Sequence, residues 1–393
     1  MRKVPELRFD GFDGEWEMGT LSDLGSVSMN KRIYKEETSE IGDVPFYKIG
    51  TFGSKADSYI SRDLFEEYKS KYPYPKVGDL LISASGSIGK VIEYKGEDAY
   101  YQDSNIVWLD VNDKVKNSFL KQFYETVNWN ELEGSTIKRL YNKDLLRKKI
   151  SYPKLSEQEK IGNLFRKLDD LIEIQEDKVA KMRDYKKSMI QKTFPKKGEL
   201  VPEFRFDGFD GDWICNKSGN VFELISEKDF PDLDVLSATQ DKGMILRNDF
   251  SSDIQYDKNQ LKNYKKVEPG DFVIHLRSFQ GGFAHSSIEG ITSPAYSVIR
   301  IKDEGSHFDL FWKTIFSSQN FINILQKLIY GVRDGKSISF KDFKGIKLRY
   351  PTLAEQEKIG NFFKNLDAQI ETEKKLLDSY KMMKKSLLQK MFV

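Results

Sequence analysis

Val4 to Trp16 reads VPELRFDGFDGEW, and Val201 to Trp213 reads VPEFRFDGFDGDW. Eleven of these thirteen positions agree, at an offset of 197. A longer repeat follows: Ser156 to Phe194 (SEQEKIGNLFRKLDDLIEIQEDKVAKMRDYKKSMIQKTF) aligns without a gap to Ala354 to Phe392, at an offset of 198 and with 18 of 39 positions identical. The chain thus runs A, X, B, A, Y, B, an internal repeat. The intervening stretches, Glu17 to Tyr152 and Ile214 to Tyr350, are similar in length but share only landmarks. Val77-Gly78-Asp79 matches Pro269-Gly270-Asp271, and Lys143-Asp144-Leu145 matches Lys341-Asp342-Phe343. Gene duplication with unequal drift accounts for the repeats. A constant frame around a varied filling further implies a symmetric job for the frame and a separate recognition task for X and for Y.

The B segments predict long helices. Ile161, Phe165, Leu168, Ile172, Val179, Met182 and Met189 recur near heptad spacing, as do Ile359, Phe363, Leu366, Ile370, Leu377, Tyr380 and Leu387 in the second copy. Pro153 with Ser156 and Glu159 reads as a capping box, and Pro351 with Thr352 and Glu355 as a similar one. About 39 helical residues span roughly 58 Å. Polar residues at Gln175, Lys186, Glu373 and Lys384 interrupt the apolar seam, which favours two helices packed on each other over an extended coiled coil. A partner's helices also fit this face.

X and Y read as mixed α/β domains. Strands are expected at Asp79–Ile82, Lys90–Glu93, Ile106–Leu109, Asp271–Ile274 and Ser297–Ile301, with Gly- and Ser-rich punctuation at Ser83–Gly89 and Ser278–Phe283. Phe119–Asn130 and Leu310–Leu328 are expected helices.

At 393 residues the chain has room for two to three domains. Its 39% hydrophobic and 32% charged residues are those of an ordinary globular protein. No apolar run approaches the roughly 18 residues of a membrane span and no signal peptide opens the chain, so a cytoplasmic protein without a membrane partner is expected. One cysteine, Cys215, excludes an internal disulfide and a multi-cysteine zinc site.

Catalytic motifs are sparse. Gly86-Ser87-Ile88-Gly89-Lys90 has Ala84 and Val91 where a phosphate loop needs Gly and Ser or Thr. Ser293-Pro294-Ala295-Tyr296 lacks the second proline of an amino-methyltransferase motif, and His275, His285 and His307 have no metal-ligand spacing. Asp79 with Glu93 and Lys95 resembles the acidic cluster of DNA-cleaving enzymes. It defines the alternative reading, a stand-alone magnesium-dependent nuclease. Its second copy keeps Asp271 but has no lysine after Glu289.

The overall charge of +2 is an average. Gly134 to Ile150 carries Lys138, Arg139, Lys143, Arg147, Lys148 and Lys149 against Asp144, a net +5. Gly331 to Arg349 carries Arg333, Lys336, Lys341, Lys344, Lys347 and Arg349 against Asp334 and Asp342, a net +4. Two equivalent basic stretches, each just before its helix, suit a duplex contacted twice, because neutralised phosphates release counterions.

A duplicated frame, two variable domains each followed by a long helix, and P-x-L-x-E-Q-x-K-I-G at Pro153–Gly162 and Pro351–Gly360 resemble the specificity subunit of type I restriction-modification systems. The Arg8-Phe9-Asp10-Gly11-Phe12 start with Trp16, and its copy from Arg205 to Trp213, also look like that family's repeat starts. The resemblance implies an α/β (α+β) fold: two target recognition domains separated by two long antiparallel helices, with an internal pseudo-twofold repeat. Its segments here are 1–152 (recognition domain 1), 153–197 (spacer helix 1), 198–350 (recognition domain 2) and 351–393 (spacer helix 2).

The resemblance further implies a non-catalytic chain that reads a bipartite site in double-stranded DNA. Its partners are two methyltransferase subunits, through which motor-nuclease subunits attach. It would hold no metal or cofactor itself; S-adenosylmethionine, ATP and magnesium belong to partner subunits. Family practice puts DNA contacts at Ser83, Ser85, Ser87, Lys90, Lys138 and Arg139, then at Arg277, Ser278, Gln280, Arg333 and Lys336. Arg277 and Gln280 fit direct readout, since arginine clamps guanine and glutamine adenine. Lys138 and Lys336, 198 residues apart, fit phosphate. Phe165, Ile172, Phe363 and Ile370 are expected to pack helix to helix, leaving outward positions for methyltransferase.

Overall fold

The computed structural model describes residues 4–129, 139–239, 242–249, 258–275, 282–328 and 338–393. In chain order, the first variable stretch contains β1 (Glu17–Thr20), β2 (Gly25–Ser28), β3 (Val44–Tyr47), β4 (Tyr59–Ile60), α1 (Arg62–Lys71), β5 (Leu80–Ser83), β6 (Val91–Glu93), β7 (Tyr100–Tyr101), β8 (Ile106–Val111), α2 (Asn117–Thr126), α3 (Asn142–Leu146) and β9 (Lys149–Tyr152). Helix α4 (Leu155–Thr193) follows. The second stretch contains β10 (Ile214–Lys217), α5 (Ser218–Val221), β11 (Phe222–Ile225), β12 (Leu236–Ala238), β13 (Met244–Leu246), β14 (Lys265–Val267), β15 (Phe272–Ile274), β16 (Phe283–His285), β17 (Gly290–Thr292) and β18 (Ser297–Ile301). It ends with α6 (Asp309–Phe316), α7 (Gln319–Leu328), α8 (Phe340–Phe343) and β19 (Lys347–Tyr350), and α9 (Leu353–Met391) closes the chain.

Both long helices have 39 residues, as the heptad pattern predicts. The chain divides into two compact units, residues 1–176 with 376–393, and residues 177–375. Each unit therefore owns one variable domain, the opening part of its own helix and the closing part of the other. This division cuts through the helices that the sequence segmentation set apart as separate pieces.

In the first unit the main sheet is antiparallel with order β2-β8-β5-β6, beside a three-stranded sheet β4-β3-β7 and a ribbon β1-β9. In the second, β11-β18-β15-β16 repeats the main sheet and β10-β19 the ribbon. Registers agree as well: Leu80 pairs with Glu93 as Phe272 pairs with His285. The Gly-Asp landmark makes this possible. Gly78 and Gly270 stand at φ +91° and +94°, backbone that favours glycine. The next carboxylate caps the turn: Asp79 accepts from the Lys76 amide at 2.7 Å, and Asp271 from the Glu268 amide at 2.8 Å.

Two expectations need correction. Leu310–Leu328 is not one helix: it breaks at Ser317–Ser318, where the Ser318 hydroxyl donates to the Ile315 carbonyl at 2.6 Å and accepts from the Phe321 amide at 3.3 Å. A serine that satisfies local backbone groups competes with helix continuation. Nor are Ser156 with Glu159 and Thr352 with Glu355 capping boxes. Helix α4 starts at Leu155, before Ser156, and Glu159 pairs instead with Lys116 at 2.7 Å. Glu355 is taken by Arg205.

The cores are built alike. Trp16 packs edge-on to Phe119 and Phe392, with Phe165 beside Phe392 at 6.2 Å. Trp213 meets Phe194 and Phe311, with Phe363 stacked on Phe194 at 6.3 Å. Thus the tryptophan of each FDGFDG repeat anchors the last phenylalanine of the other copy's helix segment, burying large aromatic area on both sides.

Within each unit the helix segments run antiparallel. In the first, Lys384 pairs with Asp169 at 2.7 Å and Lys381 with Glu176. In the second, Lys186 pairs with Asp367, and Lys178 with Glu373 at 2.7 Å. The polar interruptions Lys186, Glu373 and Lys384 are therefore ion-pair positions between the two helices. Among the described residues, no helix is long and apolar enough to cross a membrane.

Candidate nucleic-acid interface

The E-Q-x-K-I-G stretch at each helix start is a junction. Arg8 grips Glu157 through two hydrogen bonds, and Arg205 grips Glu355 in the same way. Gln158 is fully buried and fully used: its amide donates to the Lys114 and Pro153 carbonyls and its carbonyl accepts from the Lys116 amide at 2.8 Å. Gln356 repeats this on Ser306, Pro351 and the Phe308 amide. These bonds fix the start of α2 or α6 against the long helix. At Gly162 a Cβ would lie 2.4 Å from the Ser118 hydroxyl, and at Gly360 2.8 Å from the Phe308 ring. The recurring motif is therefore the device that mounts each variable domain on its helix, and its first glutamate and its glutamine are spent on that task.

On the mounted first domain, the loop after β5 forms one surface with the turn before β8 and the backbone at 139–140. Ser83 is buried, its hydroxyl donating to the Ser87 carbonyl and accepting from the Lys90 amide. Ser85 donates to Asn105 Oδ1 at 2.8 Å, and Arg139 donates to the neighbouring Ser104 carbonyl at 2.9 Å. Backbone bonds from Ala84 to Asn105 and from Leu140 to Ala84 close the arrangement. Lys90 reaches the Phe52 carbonyl at 2.7 Å, while Ser87 is exposed. Gly89 stands at φ +82° over Trp129, whose ring would lie 2.2 Å from a Cβ, so only glycine fits.

The structure thus brings together Ser83, Ser85, Ser87, Lys90 and Arg139. Ser83 shapes the loop from inside, and Ser87 is the serine that presents itself to solvent. The turn residues Ser104 and Asn105, the latter joining Ser85 to this surface, escaped the sequence reading because an isolated Ser-Asn pair has no periodicity or charge to mark it. Lys138, Arg277, Ser278, Gln280, Arg333 and Lys336 lie outside the described residues. Strands β15 and β16 pair as a hairpin on either side of 276–281, with the His275 amide bonded to the Gly282 carbonyl.

The described parts of both basic stretches are anchored from below and open above. Leu145 and Phe343 are fully buried, while Lys143, Arg147, Lys149, Lys341, Lys344 and Lys347 are exposed. Ser339 and Asp342 form a reciprocal cap at the start of α8. Exposed cations on short, pinned segments are suited to phosphate contact.

Phe165 and Phe363 are buried in the two cores, packed as much on the variable domains as on the opposite helix; Ile172 and Ile370 are half-buried. The nuclease alternative fails on geometry. Asp79 is the turn cap described above, with Asn117 on its other oxygen, and burial raises its carboxyl above the ordinary value. Glu93 pairs with Lys121 at 3.2 Å, and Lys95 offers its backbone amide to Glu97. Among the described residues no group of three or more His, Cys, Asp or Glu is arranged to hold a metal.

Comparison with known proteins agrees with a duplicated frame that carries two variable readers. Residues 13–182 and 210–380 each match the type I restriction modification DNA specificity domain. The chain therefore belongs to the type I restriction-modification DNA specificity family, with two copies of the domain, and the nuclease reading has no support. It is 55% identical over 153 residues to a putative type I restriction enzyme specificity subunit of Haemophilus influenzae, a match covering 38% of this chain and 40% of that one. It is 25% identical over 411 residues to the putative MjaX specificity subunit of Methanocaldococcus jannaschii, covering 95% and 92% of the two chains. Its fold is shared with the S subunit of a type I restriction-modification system from M. genitalium, at 17% identity and a TM-score of 0.63 over 99% of both chains.

Proposed function

We propose that the chain is the sequence reader of a type I restriction-modification complex working in the cytoplasm. Each variable domain reads one half of an asymmetric, bipartite site in double-stranded DNA. The paired helices set the gap between the halves and dock two methyltransferase subunits, through which motor-nuclease subunits attach. Chemistry belongs to those partners, with S-adenosylmethionine, ATP and magnesium as their cofactors.

The observation that carries this reading is the contrast within the repeat. Sheet order, ribbon, Gly-Asp turn and helix junction recur in both units, whereas the loops mounted on them share almost no sequence. A fixed mount with interchangeable faces is what two unlike half-sites need. In the first domain the face includes Ser83, Ser85, Ser87, Lys90, Lys138 and Arg139, and in the second Arg277, Ser278, Gln280, Arg333 and Lys336.

Co-expression with the methyltransferase subunit of the same system, followed by mapping of methylated adenines, tests it. Two unlike half-sites at a constant gap are expected. Methylation without a motif, or at a palindrome, overturns the assignment.

A further inference from the structure

The two units differ in charge at one matched place, where the edge strand of the main sheet (β6 or β16) and the helix held by the glutamine junction (α2 or α6) face the paired long helices. In the first unit this place is balanced. Lys121 pairs with Glu93 at 3.2 Å and reaches Asp169 at 3.8 Å; Lys384 pairs with Asp169 at 2.7 Å and Glu125 at 2.6 Å; Lys381 pairs with Glu176.

Strand register and the shared glutamine junction identify the counterparts in the second unit. His285 stands for Glu93, since each opposes the first residue of the preceding strand. Counting from the amides held by Gln158 and Gln356, Lys313 stands for Lys121 and Ser317 for Glu125. Along the helices, Lys374 stands for Glu176, Lys364 for Arg166, Arg183 for Lys381 and Lys186 for Lys384. Three acids are gone and every matched cation is kept.

The consequence is a cavity of about 540 Å³ bordered by Arg183, Lys186, Lys242, Lys313, Lys364 and Lys374, against Asp367 and Glu371. Asp367 is occupied by Lys186, and the His285 ring also borders the cavity and bonds to Asp309 at 2.7 Å. Among the described residues, Arg183, Lys313, Lys364 and Lys374 have no carboxylate within ion-pair distance. Like charges gathered around a partly enclosed space repel one another unless an anion enters. Lysine and arginine together suit phosphate oxygens, and the volume lies in the range of small-ligand sites.

We infer that this cavity of the second unit is a phosphate-binding site, filled by a nucleic-acid phosphodiester or by the phosphates of a free nucleotide. The inference stands on the charge pattern and holds whether or not the chain reads DNA as proposed above.

The test uses the full-length chain and inorganic tripolyphosphate, followed by calorimetry. Wild type is expected to bind it, and Lys364→Glu to weaken binding at least tenfold. The matched change in the first unit, Arg166→Glu, is expected to leave binding unchanged. The double change Ser317→Glu with Lys374→Glu restores the acids of the first unit, whose own fold tolerates them, and is expected to abolish binding without loss of thermal stability. Duplex DNA that displaces tripolyphosphate, with a salt slope reduced in the double variant, identifies the phosphodiester as ligand. Duplex that binds alongside bound tripolyphosphate identifies the free nucleotide. No binding to wild type, equal losses in Lys364→Glu and Arg166→Glu, or undiminished binding in the double variant overturns the site.

Discussion

Arg8 donates from Nε and Nη2 to the two carboxylate oxygens of Glu157 at 2.7 and 2.8 Å, and Arg205 does the same to Glu355 at 2.9 and 2.7 Å. The carboxylates are 2% and 1% exposed, so each is a buried charge with one dedicated partner. The two most repeated motifs of the sequence are thereby explained together: the arginine of the FDGFDG stretch and the glutamate of the helix start are halves of one contact. Removing one partner strands the other, which costs on the order of 3–5 kcal/mol when both are buried. The arginine side chains are 14% and 15% exposed, so Arg8→Ala and Arg205→Ala are each expected to lower the free energy of unfolding by part of that amount, read as a lower urea midpoint. Arg8→Lys is expected to rescue little, because an ammonium does not make the paired bonds. Equilibrium unfolding that shows Arg8→Ala within 0.5 kcal/mol of wild type, about the span of an ordinary surface substitution, excludes this role.

Gly162 and Gly360 give a prediction whose sign opposes helix propensity. Glycine to alanine inside an exposed helix gains roughly 1 kcal/mol. Here the new methyl of Gly162→Ala meets the Ser118 side chain at 2.4 and 2.6 Å and its backbone at 3.0 Å, and that of Gly360→Ala meets the Phe308 ring and the Phe311 amide. Overpacking of this kind costs about 1–3 kcal/mol. Both variants are expected to melt below wild type, and Ser118→Gly is expected to return part of the loss in Gly162→Ala. A melting temperature above wild type in either single variant contradicts the close approach.

The frame was legible in the sequence because repeats, heptads and Gly-Asp turns are periodic or paired signals. Even there, Glu159 and Glu355 looked like capping residues because local spacing hides the distant partners that take them, Lys116 for Glu159 and Arg205, 150 residues away, for Glu355. The proposed recognition face was legible only as composition. Ser83 and Ser87 share a loop and a residue type, yet one hydroxyl is buried in backbone bonds and the other faces solvent. That difference depends on Lys90 and Trp129 closing the loop, a tertiary event without a sequence signature. The charge asymmetry between units was equally hidden, since it appears only when Glu176 and Lys374 are placed in matching surroundings.

His307 gives the second unit a pH dependence. Its ring packs on Tyr350 at 4.7 Å and Trp312 at 5.6 Å, and among the described residues Nδ1 has no hydrogen-bond partner. Burial pushes its pKa below the ordinary 6.5, outweighing Asp303 and Gln356, which pull the other way. The folded protein thus prefers the neutral ring. Its contribution to stability is complete above the unfolded value near 6.5 and is lost as pH falls through that value toward the folded one. Urea midpoints are expected to decline from pH 7 to pH 5 in wild type and to decline less in His307→Phe, which keeps an aromatic ring. Identical profiles for the two proteins remove His307 as the cause.

The helices provide a test of the ruler. Removing four residues from the middle of α4 and four from the middle of α9 shortens each by about 6 Å, while leaving Lys186 opposite Asp367 and Lys384 opposite Asp169. At about 3.4 Å per base pair, the methylated half-sites are expected to move closer by roughly two base pairs. An unchanged gap in the methylation map separates site spacing from helix length.

Readout and phosphate contact should come apart by mutation. Arg277→Ala removes a bidentate donor suited to guanine, so it is expected to relax discrimination at one position of one half-site at a cost of about 1–3 kcal/mol. Lys336→Ala removes a charge without sequence information; it is expected to weaken binding to all duplexes alike and to reduce the salt slope by about one. Binding to a panel of single-base variants at several salt concentrations distinguishes them. If Arg277→Ala leaves the recognised sequence intact while lowering the salt slope, the arginine holds phosphate, and base readout passes to Gln280, whose side-chain amide pairs with the adenine edge in the major groove.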